Sequence, residues 1–450
     1  MGRRSHTRAL GLWMNGVRVG TWGLTPNAPD TLQYDQTWTQ SEQGRPLSLS
    51  LPFTPGNAPH RGAVVRAYFE NLLPDSKTIR ERLARRFKTG STDAFALLAE
   101  IGRDCVGALE ILPDDQPSAG IAELQAQPLS EVQVAQVLRA ATTPNAMGWA
   151  GEDDELRISI AGAQEKTALL LDNGRWCLPR GSTPTTHIFK LPLGLIGGMK
   201  LDMRDSVHNE WLCALILKEF GLPVAACEPL QFEDIEVLVV ERFDRIWWTP
   251  REGDRRLIRL PQEDMCQAIG VAPEAKYEVD GGPGMDRILD LLDGSMLREQ
   301  DQRTFFKAQL LFWMLCATDG HAKNFSLFLR PGGRYQLTPL YDVLSAYPVL
   351  GEGSTKMSAH KAKMAMAVRS KSAHWKMKDI LRRHWVALGA RHGVVTEDGR
   401  QVQFLIDDVV DRTPAVIRAV RGRLPDRFPE QVADSILNGL QGAANRLADR

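Results

Sequence analysis

Between an apolar run, Leu310 to Ala317, and a second apolar stretch from Phe325, the chain inserts Thr-Asp-Gly-His-Ala-Lys-Asn. Asp319 and Asn324 stand at the spacing D-x-x-x-x-N. A carboxylate so placed can accept a hydrogen bond from an attacking hydroxyl, and the amide oxygen can bind a hard cation. Lys323 beside them could neutralise a transferred phosphoryl group. Further on, "LTPLYDVLSAYP" puts Asp342 at the end of an apolar run, after a hairpin turn supplied by "RPGGRY". Either acid alone also reads as a cap on backbone groups in a polar turn. The two at this separation point to a magnesium site for phosphoryl transfer.

Three further candidates lie upstream. Lys190, in the strand-like "THIFKLP", could reach nucleotide phosphates, with Glu210 as a candidate ion-pair partner. "Ser159-Ile-Ala-Gly-Ala-Gln-Glu-Lys-Thr167" joins two apolar runs through small residues, which let backbone N–H groups approach a phosphate. It carries only Gly162, so a simple β-turn is the alternative reading. "VVERFDR" ends a strand with Glu241 and Phe243, a candidate hinge for an adenine ring.

The elements that must position these groups follow from patterning. Asn15-Gly16 and Asn173-Gly174 are two-residue hairpin signals. "PLSLSLPF" (46–53) alternates with period two and predicts a strand. "PDSKTIRERLARRF" predicts a helix opened by Pro74 and Asp75 or Ser76. "LRISI", "KTALLL", "RWCLP", "THIFKLP" and "EVLVVERFD" predict short strands around one helix, "DSVHNEWLCALILKEFG". After residue 261 nearly all periodicity is helical. The polar break "PDDQPSAG" (113–120) marks a linker. The expectation is an α+β, protein-kinase-like two-lobed fold. Its divisions are an N-terminal β-rich subdomain (1–115), a β-rich lobe (116–260) and a helical lobe (261–450).

Composition sets bounds. The 450 residues carry 55 basic and 55 acidic side chains, so binding to a polyanion needs a local patch. One exists on paper: ten Lys or Arg (356, 361, 363, 369, 371, 376, 378, 382, 383, 391) face one acid, Asp379. It reads as a DNA-contacting surface or as a solvated helix face. No apolar run approaches a membrane span, and no signal peptide develops at the start. The six scattered cysteines suit buried reduced thiols in a cytoplasmic protein.

Taken together, "RISIAGAQEKTALL", "TPTTHIFKLP", "VERFDR", "LPQEDMCQAIG", "ATDGHAKNFS" and "LTPLYDVLSAYP" resemble the HipA family, the serine/threonine kinase toxins of HipBA toxin–antitoxin modules. "RPLSLSLPF", "ENLLPDS" and "LLAEIGRDCVGAL" extend the resemblance to the N-terminal part. It implies ATP and Mg²⁺ as cofactors, Asp319 as the catalytic aspartate, and Asn324 and Asp342 as metal ligands. Lys190 would contact ATP phosphates, and Ala161, Gly162, Ala163, Gln164, Glu165 and Lys166 would form the phosphate loop. Glu241, Arg242 and Phe243 would be the hinge, with His321, Ala322, Lys323, Asn324 and Tyr341 completing the nucleotide pocket. Ser159 would be autophosphorylated, a dianion there expelling the loop. The implied partners are a HipB-like helix-turn-helix antitoxin, operator DNA reached through that complex, and an aminoacyl-tRNA synthetase substrate, glutamyl-tRNA synthetase. A heterotetramer with antitoxin and a monomer alone are expected. The family's basic DNA-contacting pair aligns near Ala390 and Gly393, where this chain is not basic. The competing functions are a catalytically vestigial corepressor and a kinase-fold enzyme acting on a small molecule.

Overall fold

The computed structural model describes residues 8–120, 124–142, 159, 162, 164–197, 200–251 and 255–449. Asn15 and Gly16 both take positive φ (48° and 83°) and close the hairpin between strands Arg8–Met14 and Val17–Leu24. That hairpin is the middle of a five-stranded antiparallel sheet, ordered His60–Arg61, Thr31–Tyr34, Val17–Leu24, Arg8–Met14, Leu109–Pro113. Helices Ala63–Glu70, Lys77–Arg86 and Ala94–Ile101 cover its apolar face, where Trp22 stacks on Phe69 at 3.7 Å. Ser76 caps the second of these helices, accepting from the Ile79 amide.

A second, six-stranded sheet follows. Its order is Cys227–Phe232, Ile235–Glu241, His187–Lys190, Lys166–Asp172, Arg175–Pro179, Ala126–Pro128. Asn173 and Gly174 (φ 47° and 75°) again close the expected hairpin. Helix Ser206–Glu219 packs between this sheet and the helical lobe: Val207 joins the sheet-side core, while Leu212, Cys213 and Ile216 join the lobe's core. Helix Arg298–Met314 is buried almost all round from Phe305 onward, which explains its unbroken apolar stretch. Helices Val402–Arg421 and Glu430–Ala448 complete the lobe. The architecture is α+β, strand-rich first and helical last.

Two expectations fail. The alternating segment 46–53 forms no strand; its Ser48 and Ser50 hydroxyls donate to the Gln267 carbonyl, and Leu49 N–H donates to Glu263 at 2.9 Å. The alternation marks a chain that docks on one face without a strand partner. The region after 261 also holds more strand than its helical periodicity suggested. A three-stranded sheet (Gln262–Asp264, Ser326–Leu329, Tyr335–Leu337) and a hairpin (Lys363–Arg369, Ala373–Lys376) interrupt the helices. "LRISI" lies almost wholly outside the described residues. All six cysteines are free, and five are buried. Among the described residues no helix is long and apolar enough to cross a membrane.

Candidate active site

Helix Arg298–Met314 stops because Cys316 takes a left-handed conformation (φ 52°), and the Ala317 amide bonds back to the Phe312 carbonyl at 2.8 Å. The chain then turns through Asp319, whose carbonyl accepts from the His321 amide at 2.8 Å, into a short 3₁₀ turn, Ala322–Asn324. The Asn324 amide nitrogen donates to the Asp319 carbonyl at 2.8 Å and reaches the Asp342 carbonyl at 3.5 Å. Its amide oxygen is thereby the end turned away from both. Asp342 itself adopts φ 62°, a conformation that asparagine and aspartate tolerate better than most residues.

Across the cleft, the Lys190 ammonium donates to Glu210 at 2.5 Å and to Asp342 at 2.6 Å. Burial works against the charge on Lys190, but Asp342 and Glu210 outweigh it and raise its pKa above the ordinary lysine value. Burial likewise opposes ionisation of Asp342, and Lys190 and Lys166 reverse that, holding its carboxyl well below the usual range. Glu210 is pushed upward by burial. Lys166 is drawn down to about 8 by burial, offset in part by Asp342 and deepened by Lys190. Gly162 takes φ 112°, a conformation that strains any residue with a side chain, and the Lys166 ammonium lies against its open face.

A second ion cluster closes the other wall. The Asp75 carboxylate accepts from Lys276 at 2.7 Å and Lys323 at 2.8 Å, and its amide donates to the Gly162 carbonyl at 3.1 Å. Burial would raise Asp75, yet the two ammonium groups pull it far down. The Tyr277 hydroxyl donates to one carboxylate oxygen of Asp319. Burial and then that negative neighbour push the phenol upward. His321 lies edge-on to Tyr277 at 5.0 Å and is lowered by burial. Its Nδ1 has no hydrogen-bond partner among the described residues.

These walls border an open cleft of about 1080 Å³, counted out to the solvent at its mouth. Gly162, Lys166, Lys190, Glu241, Arg242, Phe243, Asp319, His321, Lys323, Asn324, Tyr341 and Asp342 all line it. Phe243 packs against Phe328 and Tyr341, each at 5.7 Å between ring centroids. The remaining expected residues fall elsewhere. Gln164 donates to the Leu191 carbonyl and Glu165 pairs with Arg82, so neither faces the cleft. Ala322 is fully buried in the helical core. Ala161 and Ala163 lie outside the described residues. Ser159 is fully buried, its Oγ donating to the Leu72 carbonyl at 2.6 Å. Arg242 borders the cleft, while its guanidinium is committed to a buried cluster, bonding Asp104 at 3.1 Å and Asp244 at 2.8 Å.

Asp75, Lys276, Tyr277 and Asp264 escaped sequence reasoning. Asp264 caps the helix Met265–Ile269 through a reciprocal box with Gln267, and burial raises it to about 6. Its D-x-x-Q capping pattern was legible; its place in the cleft was not. For Asp75 and Lys276 no local pattern exists, because the contact spans distant chain segments.

A model of the HipA-like C-terminal domain matches residues 158–417, and one of the HipA N-terminal domain matches residues 10–112. The chain belongs to the HipA family. A putative kinase, Y4mE of Sinorhizobium fredii, is 34% identical over 82% of this chain and 84% of its own length. The serine/threonine-protein kinase toxin HipA of Shewanella oneidensis is 29% identical over 75% of each. The fold matches a chain in the Shewanella oneidensis complex of HipA, HipB and operator DNA, with a TM-score of 0.75, 23% identity and coverage of 98% and 97%.

Proposed function

We propose that this HipA-type kinase transfers the terminal phosphoryl group of ATP to a serine or threonine of a protein, acting as the toxin of a toxin–antitoxin pair. The observation that carries the reading is the chain of contacts Glu210–Lys190–Asp342–Asn324–Asp319 along one cleft. Lys190 and Lys166 would face the phosphates, and the backbone at Glu241–Phe243 the base. Asp342 and Asn324 offer oxygen donors of the kind Mg²⁺ prefers, and two protein ligands suit a cation that keeps water and phosphate oxygens. When bound, that cation screens phosphate charge. With Tyr277 on one Asp319 oxygen, the other has no hydrogen-bond partner among the described residues and could accept from the incoming hydroxyl and orient it along the line of attack.

Autophosphorylation of Ser159 belongs to the same proposal. The Ser159 hydroxyl sits buried against Leu72, a place where a phosphate dianion would have no solvent and a carbonyl as neighbour. Modification therefore requires Ser159 to leave its seat against Leu72, and a phosphorylated Ser159 would not fit back there. A HipB-like antitoxin, operator DNA bound through it, and glutamyl-tRNA synthetase as substrate complete the reading. The Shewanella complex supports the first two. Of the ten basic residues at 356–391, Arg369, Arg382 and Arg391 are committed to acids within the chain. Lys361, Lys371, Lys378 and Arg383 are exposed and suit phosphate contacts.

Radiolabelled ATP incubated with the purified protein and a bacterial lysate tests this directly. Label should appear on Ser159 and on a synthetase, and vanish with Asp319→Gln. Absence of transfer under every condition would leave the corepressor reading in its place.

A further inference from the structure

Beside the nucleotide cleft, on the far side of Tyr277, a second hollow opens that the catalytic residues do not use. Tyr277 and Thr318 form its inner edge, so Asp319 stands between the two cavities. Its floor is apolar: Met364, Ala365 and Trp375 of the hairpin, with Val279 on the rim. Val279 is 73% exposed, the largest exposure among the bulky apolar side chains described. The Trp375 indole N–H is buried without a hydrogen-bond partner among the described residues, which a ligand carbonyl would satisfy.

The rim is cationic. Lys363 and Lys376 sit directly opposite one another across the two strands, and both are exposed. Like charges in facing positions weaken a hairpin, so this pair is best explained by an anion placed between them. One acid, Asp379, shares the hollow. The hairpin is fixed to the catalytic wall by the residue next to Tyr277: Glu278 accepts from the Ala367 amide at 2.5 Å and from the Arg369 guanidinium at 3.0 Å. The rim lysines are thus held at a set distance from Asp319.

We propose that this hollow is the acceptor-docking groove of the kinase. It takes an extended polypeptide that places an apolar side chain on Met364 and Trp375 and an acidic side chain between Lys363 and Lys376, presenting its serine or threonine hydroxyl to Asp319. The proposal rests on the protein-kinase reading above. It also draws two lysines out of the basic stretch and assigns them to a polypeptide rather than to nucleic acid. Continuity with Asp319 favours this, as does the apolar floor, which offers a duplex backbone nothing.

The test is a positional-scanning library of serine-centred peptides phosphorylated with ATP by the full-length protein. The wild type should select Asp or Glu at one fixed position and a large apolar residue at another. In Lys363→Glu/Lys376→Glu, the acidic preference should invert to a basic one. KM for the acidic peptide should rise about tenfold while nucleotide affinity holds. Lys363→Ala/Lys376→Ala should erase the preference without inversion, which separates docking from misfolding. Unchanged selectivity in both variants would overturn the groove while leaving the kinase standing. So would competition for the groove by a short oligonucleotide but not by an acidic peptide. Transfer to lysate proteins but to no library peptide would likewise overturn it as a peptide site. No transfer even to lysate proteins would overturn the kinase reading beneath it.

Discussion

Two buried ion clusters flank the strand Ile235–Glu241, and they are built from different cations. On the hinge side, Asp104 and Asp244 are gripped by Arg242, Arg245 and Arg259, with Glu110 close to the last. Every one of these residues is at least nine-tenths buried. The guanidiniums also bond the Cys105 and Gly107 carbonyls, so most of their donors are taken by fixed partners. On the cleft side the cations are Lys190 and Lys166, and the Asp342 side chain is still 32% exposed. Arginine's planar fork suits a permanent structural knot, whereas a lysine's compact charge can be shared with an incoming phosphate. The comparison teaches that cation type and exposure together distinguish a closed clamp from a site left open to a ligand.

Substitutions can break this contrast. The largest effect belongs to the site: Asp319→Asn should slow transfer by about 10²- to 10⁴-fold in a single-turnover assay. With its side chain 63% exposed, thermal melting should stay unchanged. Asp104→Ala should do the reverse. Stranding Arg242 and Arg245 should cost about 3–5 kcal/mol in urea unfolding, and transfer by the molecules that remain folded should persist.

Protons sharpen the contrast further. Lys166, near 8 in the free protein, is partly neutral at pH 8–9. A triphosphate favours its charged form, so nucleotide binding there should take up as much as about one proton per site and weaken as pH rises. Calorimetry in buffers of different ionisation enthalpy checks this, and Lys166→Met should abolish the uptake. A further proton-linked effect lies away from the cleft. Burial raises Glu263 from 4.5 to about 8. The folded protein therefore binds the extra proton between those values, and this group's contribution is complete below 4.5 and lost as pH rises through 8. Glu263→Gln should flatten that limb of a melting-temperature profile.

The same contrast shows where sequence reasoning reaches. Asp319, Asn324 and Asp342 were legible because short spacings and a hairpin turn bring them together locally. Lys190 and Glu210 were legible as a strand lysine followed by a helix acid, and they pair. Arg242 was assigned to the nucleotide pocket from its place in the hinge. It borders the cleft, and its side chain goes to Asp104, which no local pattern could show. The 46–53 segment misled because alternation reports one buried face, and a coil docked through serine hydroxyls has one too. The hairpin carrying Lys363 and Lys376 was read only as a run of charge.

Asp75 lies among the residues that match the HipA N-terminal domain, yet it neutralises Lys276 and Lys323, 201 and 248 positions further on. The two parts are coupled through these ion pairs. A chimera joining this C-terminal portion to a relative's N-terminal one would carry two stranded ammonium groups beside its cleft unless the donor supplied an acid at the same place. Recombination within the family should therefore preserve that carboxylate wherever both lysines persist.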